Sequence, residues 1–233
     1  MLTIRKLRAG YGDFQALFGI DLELAAGETV AIIGSNGAGK STFLRSLAGL
    51  IRNDPGAIRF KDEYIGSLPA NRVLERGIAL VPEGRKLFPS LSVEENLLIG
   101  AYSKRQGAWN LERIYGLFPV LEKLRKRPGT ALSGGQQQMV AIGRALMSSP
   151  SLLLCDEISL GLAPTTIKDI YAALPSIKAD GTAVILVEQD INQALSVADR
   201  FYCFQEGRIS LSGKPGEVSK ERIKAAYFGL AEA

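Results

Sequence analysis

The 233-residue chain has no histidine. That removes His-based general-base catalysis, Ser–His and Cys–His nucleophile pairs, and His-ligated zinc. Cysteine is nearly as scarce: Cys155 and Cys203 are too few for a Cys-rich metal site. Both lie in apolar, strand-like runs, so they are expected as reduced core thiols of a cytoplasmic protein. No apolar run approaches the roughly 18 residues that a bilayer span needs. The opening MLTIRKLRAG lacks an apolar segment, so no secretory signal is expected. Net charge is small, 28 Lys and Arg against 24 Asp and Glu, or +4. The densest cationic cluster, Lys123, Arg125, Lys126 and Arg127, reads as the trim of an exposed helix end, and no nucleic-acid partner is expected.

What is present is the making of a globular α/β protein. Apolar residues are 46% of the chain, enough for a sizeable core, and 25 glycines point to backbone-tight loops. Strand-like runs occupy residues 2–10, 16–24 and 28–34, and a helix is expected over 40–50. A strand at 57–60, a polar helical stretch and a strand at 78–82 follow. From about residue 84 to 150 the period is helical. Leu111, Ile114, Tyr115 and Phe118 fall at i, i+3, i+4 and i+7 until Pro119 interrupts, an apolar stripe expected to pack into a core. Strands return at 151–155, 183–187 and 201–205, separated by helices at about 164–178 and 190–199. The first two are continuously apolar, as strands buried on both faces are. This alternation predicts a largely parallel α/β sheet, with the helical stretch inserted between its halves.

Gly34-Ser35-Asn36-Gly37-Ala38-Gly39-Lys40-Ser41-Thr42 follows one of these strands and opens a helix. It matches G-x-x-x-x-G-K-[ST], a pattern expected by chance in roughly one chain of this length in a hundred. Glycines let backbone N–H groups turn inward around a phosphate, and the helix N-terminus favours negative charge. Lys40 is the candidate for the β- and γ-phosphates, and the Ser41 hydroxyl for Mg²⁺. A second metal contact is expected from the apolar strand that ends in Asp156 and Glu157, because strand C-termini face the ligand crevice of open α/β sheets. Asp156 would hold the metal directly or through water, and Glu157 would polarise the attacking water. Leu132-Ser133-Gly134-Gly135-Gln136 precedes a long helical run and offers a second anion cradle.

With these motifs in this order, the chain resembles the ATP-binding-cassette (ABC) transporter ATPases along nearly its whole length. The resemblance implies a P-loop NTPase cassette over 1–233: a largely parallel core sheet with an N-terminal antiparallel β portion, and an inserted helical subdomain. Residues 1–83 and about 150–233 would form the nucleotide-binding core. Residues from about 84 to 150 would form the helical subdomain with the signature. It implies that Ser133, Gly134, Gly135 and Gln136 of one chain close on ATP held by the phosphate loop of another. Tyr11 matches the aromatic that stacks on adenine.

Glu83 stands where most of the family has a Mg²⁺-touching glutamine that senses the transmembrane partner. Gln189 stands where most have a switch histidine; glutamine can still donate to phosphate but cannot become cationic. Leu162 replaces an aspartate and Ile158 a proline. PEGR at 82–85, SLGLAP at 159–164, VEQ at 187–189, SVEENLLIG at 92–100 and AYFG at 226–229 are together similar to the LivF-type subunits of branched-chain amino acid importers.

That resemblance implies an ATPase that uses ATP and Mg²⁺ at the cytoplasmic face of the inner (plasma) membrane. It would pair with a second cassette, identical or related, and with two transmembrane permeases and an extracytoplasmic substrate-binding protein. Lys40, Glu157 and Gln189 are the expected catalytic residues, and Ser41, Asp156 and Glu83 the expected metal contacts. A urea or short-amide importer subunit and a low-turnover regulatory cassette stay open as alternatives. An export or lipid-extraction cassette would be expected to carry the usual glutamine and histidine. Cassette proteins of DNA repair or translation usually carry two cassettes or a long coiled-coil insert.

Overall fold

The computed structural model describes residues 1–103 and 105–230. The chain opens with strands β1 (Leu2–Tyr11), β2 (Phe14–Leu24) and β3 (Thr29–Ile33), then helix α1 (Lys40–Leu47). Two short strands, β4 (Ile58–Phe60) and β5 (Glu63–Tyr64), precede helix α2 (Ala70–Arg76) and strand β6 (Ile78–Val81). Four helices follow: α3 (Val93–Ile99), α4 (Leu111–Leu117), α5 (Pro119–Lys123) and α6 (Gly134–Leu146). The chain then runs through β7 (Leu152–Asp156), α7 (Pro164–Ala179), β8 (Ala183–Glu188), α8 (Ile191–Val197), β9 (Arg200–Gln205), β10 (Arg208–Gly213) and α9 (Lys220–Phe228).

The strands form two sheets. One is antiparallel, in the order β2-β1-β4-β5; the other has six strands in the order β10-β9-β3-β8-β7-β6. In the second, every pairing is parallel except that of β9 with β10. The expected architecture, a largely parallel core with an N-terminal antiparallel portion and inserted helices, is therefore the observed one.

Period-two alternation divides the core. Leu152, Leu154, Ile185 and Val187 point to the face that carries α1 and the antiparallel sheet, beside Ile4, Leu22 and Phe43. Their neighbours Leu153, Cys155, Val184 and Leu186 point the other way, onto Val140 and Leu146 of α6 and Leu174 of α7. β3, β7 and β8 are buried throughout, which explains why their sequences read as unbroken apolar runs. The stripe of α4 joins the second cluster: Ile114 and Phe118 are buried there, and Leu111 and Tyr115 pack partly against it. Pro119 is the first residue of α5, where its missing N–H costs nothing.

Both cysteines are free thiols in the core. Lys123, Arg125, Lys126 and Arg127 are exposed where α5 ends, as expected of helix trim. Two helices are shorter than their sequences suggest. α1 stops at Leu47 because Gly49 turns the chain with a φ of +70°. α8 stops at Val197 because Ala198 is extended. β10 and α9 were not expected from the sequence.

Parallel pairing brings the C-terminal ends of four strands to one edge. Ile33 pairs with Glu188, Asp156 with Val187, and Val81 with Cys155. The loop after β3, the acid pair after β7, the turn after β8 and the segment after β6 therefore meet in one crevice.

Phe43 ties α1 to this sheet. Its ring meets the Phe204 ring edge-on, with centroids 5.4 Å apart and planes at 71°, and both are fully buried. Phe43→Ala is expected to destabilise the fold by about 3–5 kcal/mol in guanidinium chloride unfolding. A loss under about 1 kcal/mol would show that α1 is not anchored through this ring.

Candidate nucleotide site

The loop after β3 is shaped by two glycines that nothing larger can replace. Gly34 has a φ of +155°, and a Cβ there would lie 2.3 Å from the Phe204 carbonyl oxygen. Gly39 has a φ of +97°, and a Cβ there would lie 2.7 Å from the Leu17 side chain. The loop therefore sits close against β9 and β2 and leads straight into α1.

Lys40, the first residue of α1, is only 4% exposed. Its ammonium donates to the carbonyls of Gly34 at 2.7 Å and Ser35 at 3.0 Å, and lies 3.8 Å from Glu157 Oε1. Burial lowers its pKa, while the charges of Glu157, Asp156 and Glu188 pull it back up. The next residue, Ser41, donates its hydroxyl proton to Asp156 Oδ1 at 3.0 Å. Burial raises the Asp156 pKa; the Ser41 hydrogen bond lowers it, and the neighbouring charges of Glu157 and Glu83 raise it further.

Glu157 follows directly in a left-handed conformation, φ +48°, rare for a residue with a side chain. Its N–H donates to the Val187 carbonyl at 3.0 Å. Gln189, just past β8, donates from Nε2 to Glu157 Oε2 at 2.6 Å. The base candidate is thus held by the switch candidate, with the phosphate-loop lysine beside it.

Lys40, Ser41, Glu157 and Gln189 line one cavity of about 580 Å³, together with Asn36, Gly37, Thr42 and Glu83, and Asp156 stands behind Ser41. Tyr11 sits at its mouth, with its hydroxyl accepting from Arg45 Nη1 at 3.1 Å and Thr42 Oγ1 at 3.5 Å. Phe14, Ala16 and Leu160 line the cavity as well, and the sequence reading passed over all three. Phe14 had a signal: an aromatic facing Tyr11 across a Gly-Asp turn.

Metal fit follows from the donors. Among the described residues no group of three or more His, Cys, Asp or Glu side chains is arranged to hold an ion. What exists is a hydroxyl and a carboxylate, Ser41 and Asp156, with Glu83 on the same cavity. Such a sparse set of hard oxygens suits Mg²⁺, which takes its remaining ligands from phosphate and water.

Ser133, Gly134, Gly135 and Gln136 do not line this cavity. Ser133 caps α6 in a capping box with Gln136: each side chain satisfies the other's backbone N–H, at 3.3 and 2.9 Å. Gly134 is packed under the Arg85 guanidinium, and Gly135 under Thr166. The structure thus brings together the phosphate loop, the acid pair, Glu83, Gln189 and Tyr11, and leaves the signature apart from them.

A sequence profile of the family described as ABC transporter matches residues 17–159. The high-affinity branched-chain amino acid transport ATP-binding protein BraG of Pseudomonas aeruginosa is 44% identical over 233 residues, covering 98% of this chain and 100% of that protein. A probable branched-chain amino acid transport ATP-binding protein LivF of Archaeoglobus fulgidus is 33% identical over 236 residues, covering the whole of both. Among solved structures, a dimeric post-hydrolysis state of an ATP-binding cassette bound to ADP and Pi superposes with a TM-score of 0.81 at 27% identity, covering 92% of this chain and 98% of that one.

Asp156→Asn tests the electrostatics of the site. Burial holds the wild-type carboxyl above its unfolded pKa, so its cost to stability builds as pH rises past the unfolded pKa and is complete above the folded one. The nucleotide-free variant is expected to unfold at a higher temperature than wild type at pH 8, by a margin that narrows as pH falls and Asp156 protonates. A margin that widens toward acid would mean that the carboxylate is stabilised in place.

Proposed function

The chain belongs to the ABC transporter family, and on that premise we propose that it powers the uptake of branched-chain and other hydrophobic amino acids as the ATP-hydrolysing subunit of an importer. ATP is its substrate. One observation carries the chemistry: Gln189 holds the Glu157 carboxylate at 2.6 Å, with the Lys40 ammonium 3.8 Å from its other oxygen.

The residues divide the work. The N–H groups of the 34–42 loop and Lys40 receive the β- and γ-phosphates. Ser41 and Asp156, with Glu83 on the same cavity, would hold Mg²⁺, which would neutralise charge developing on the phosphate oxygens. Glu157 accepts the proton of the water that attacks the γ-phosphorus as the bond to the ADP oxygen breaks. Gln189 fixes the carboxylate by donation, for which an amide suffices without a histidine. Tyr11 offers its ring to the adenine.

The signature's distance from its own chain's cavity supports a two-chain site. In this reading Ser133–Gln136 of a second cassette, identical or related, closes the nucleotide site. The described residues include no helix long and apolar enough to cross a membrane. The likeness to transport ATP-binding proteins supports a peripheral subunit on the cytoplasmic face, docked on two permeases through the helical stretch of about 84–130 and served by an extracytoplasmic binding protein. The cargo rests on the full-length likeness to the two branched-chain amino acid relatives.

Glu157→Gln is the test. With expression matched, it is expected to cut ATP hydrolysis by about 10²–10⁴-fold, to keep nucleotide binding, and to abolish uptake of labelled leucine while sparing urea. Unchanged leucine uptake would contradict the importer reading, and selective loss of urea uptake would reassign the cargo.

A further inference from the structure

One buried acid has no part in the chemistry above. Glu188 is the last residue of β8 and is 2% exposed. Ser159 reaches both of its carboxylate oxygens, donating its N–H to Oε1 at 3.2 Å and its hydroxyl to Oε2 at 2.7 Å, with the Tyr171 hydroxyl as a further neighbour. Among the described residues no Lys or Arg forms an ion pair with it. Burying a charge against neutral donors is costly, and a neutral amide would fill the space for less.

What the carboxylate grips explains the expense. Ser159 lies two residues after Glu157, and Gln189 lies one residue after Glu188. Two consecutive residues at the end of β8 therefore grip two alternate residues of the facing loop: Gln189 holds the side chain of Glu157, and Glu188 holds Ser159. From the same strand, the Val187 carbonyl accepts from the Glu157 N–H. Leu160 N–H bonds back to the Glu157 carbonyl at 3.2 Å, and Leu162 N–H to that of Ser159 at 3.2 Å. Glu157 is thus fixed by β8 and by its own loop in its left-handed conformation, a strained state that persists only when its surroundings over-determine it.

We propose that Glu188 is a positioning residue for ATP hydrolysis: by clamping Ser159 it holds Glu157 in the backbone conformation that presents its carboxylate to Gln189 and the phosphate loop. The inference rests on Glu157 as general base. Neither Glu188 nor Ser159 lines the nucleotide cavity. Their loss acts on the geometry of the base, not on contacts to the nucleotide.

The test uses the full chain, with steady-state hydrolysis, MgATP affinity and amide hydrogen exchange measured side by side. Glu188→Leu keeps much of the volume and removes both acceptors. Ser159→Ala, at a half-buried loop position, removes the hydroxyl hydrogen bond from the other side and covers the case in which the first variant folds poorly. Each is expected to lower kcat by about 10- to 100-fold, the range for a displaced catalytic group, with KM within about twofold. Both should speed exchange at the Ser159 and Leu160 amides.

The double variant should be no slower than the worse single one, because both remove one contact, and Ser159→Thr should restore the rate. Wild-type kcat in both single variants, losses that multiply in the double, or unchanged exchange at Ser159 would each overturn the proposal. Hydrolysis that survives Glu157→Gln would instead fell the base assignment. Exchange at Ser159 would still decide whether the clamp exists.

Discussion

Everything at the functional edge depends on one constraint: a lysine ammonium held almost out of water among three carboxylates. Lys40 is buried under the 34–39 loop, and the charges of Glu157, Asp156 and Glu188 all act on it. Apart from the adjacent Asp156 and Glu157, these groups are far apart in sequence. Parallel pairing of β3, β8 and β7 puts their C-terminal ends on one line, and the loops that leave them have nowhere else to go. The glycines keep the loop tight enough for Lys40 to donate back to its carbonyls. The donors of a site so arranged fit a nucleoside triphosphate with Mg²⁺.

In the two-chain reading, the site is half of a larger one. Glu83 lines the cavity, while Arg85, two residues on, lies over Gly134 of the signature, and Arg144 Nη2 donates to the Arg85 carbonyl at 3.1 Å. Between the two ends, Gly84, Arg85 and Lys86 all have positive φ, at +73°, +64° and +46°. Strain of that kind is kept where a segment must hold a definite course. In the two-chain reading, this short turn links the cavity of one nucleotide site to the signature that serves the other, without passing through the sheet.

Much of this was legible in the sequence, for physical reasons. The phosphate loop, the acid pair and the signature each require particular residues at fixed spacing, and strands buried on both faces read as apolar runs. β10 was lost because its residues alternate between exposed and half-buried, with only Ile209 and Leu211 to mark an inner face. Its signal lay in the turn before it: Glu206-Gly207, both with positive φ, is the two-residue turn of a hairpin. α9 buries a single side chain, Ile223, so it has almost no apolar face to read. Glu188 was passed over because a glutamate in Val-Glu-Gln looks like any polar strand end. Only the structure places Ser159 against it. That the signature stands apart from its own phosphate loop was foreseen from the family likeness, not from spacing.

The central claim is that the buried Lys40 ammonium marks the seat of the nucleotide's phosphates. The most direct measurement is equilibrium binding of ATP with Mg²⁺ to the wild-type chain and to Lys40→Ala, with folding checked by circular dichroism. The account predicts a well-folded variant that binds about 100-fold more weakly, the loss of roughly two charge-assisted contacts. Affinity within about twofold of wild type would contradict it, since the cation would then be a structural strut of the loop and the phosphates would sit elsewhere.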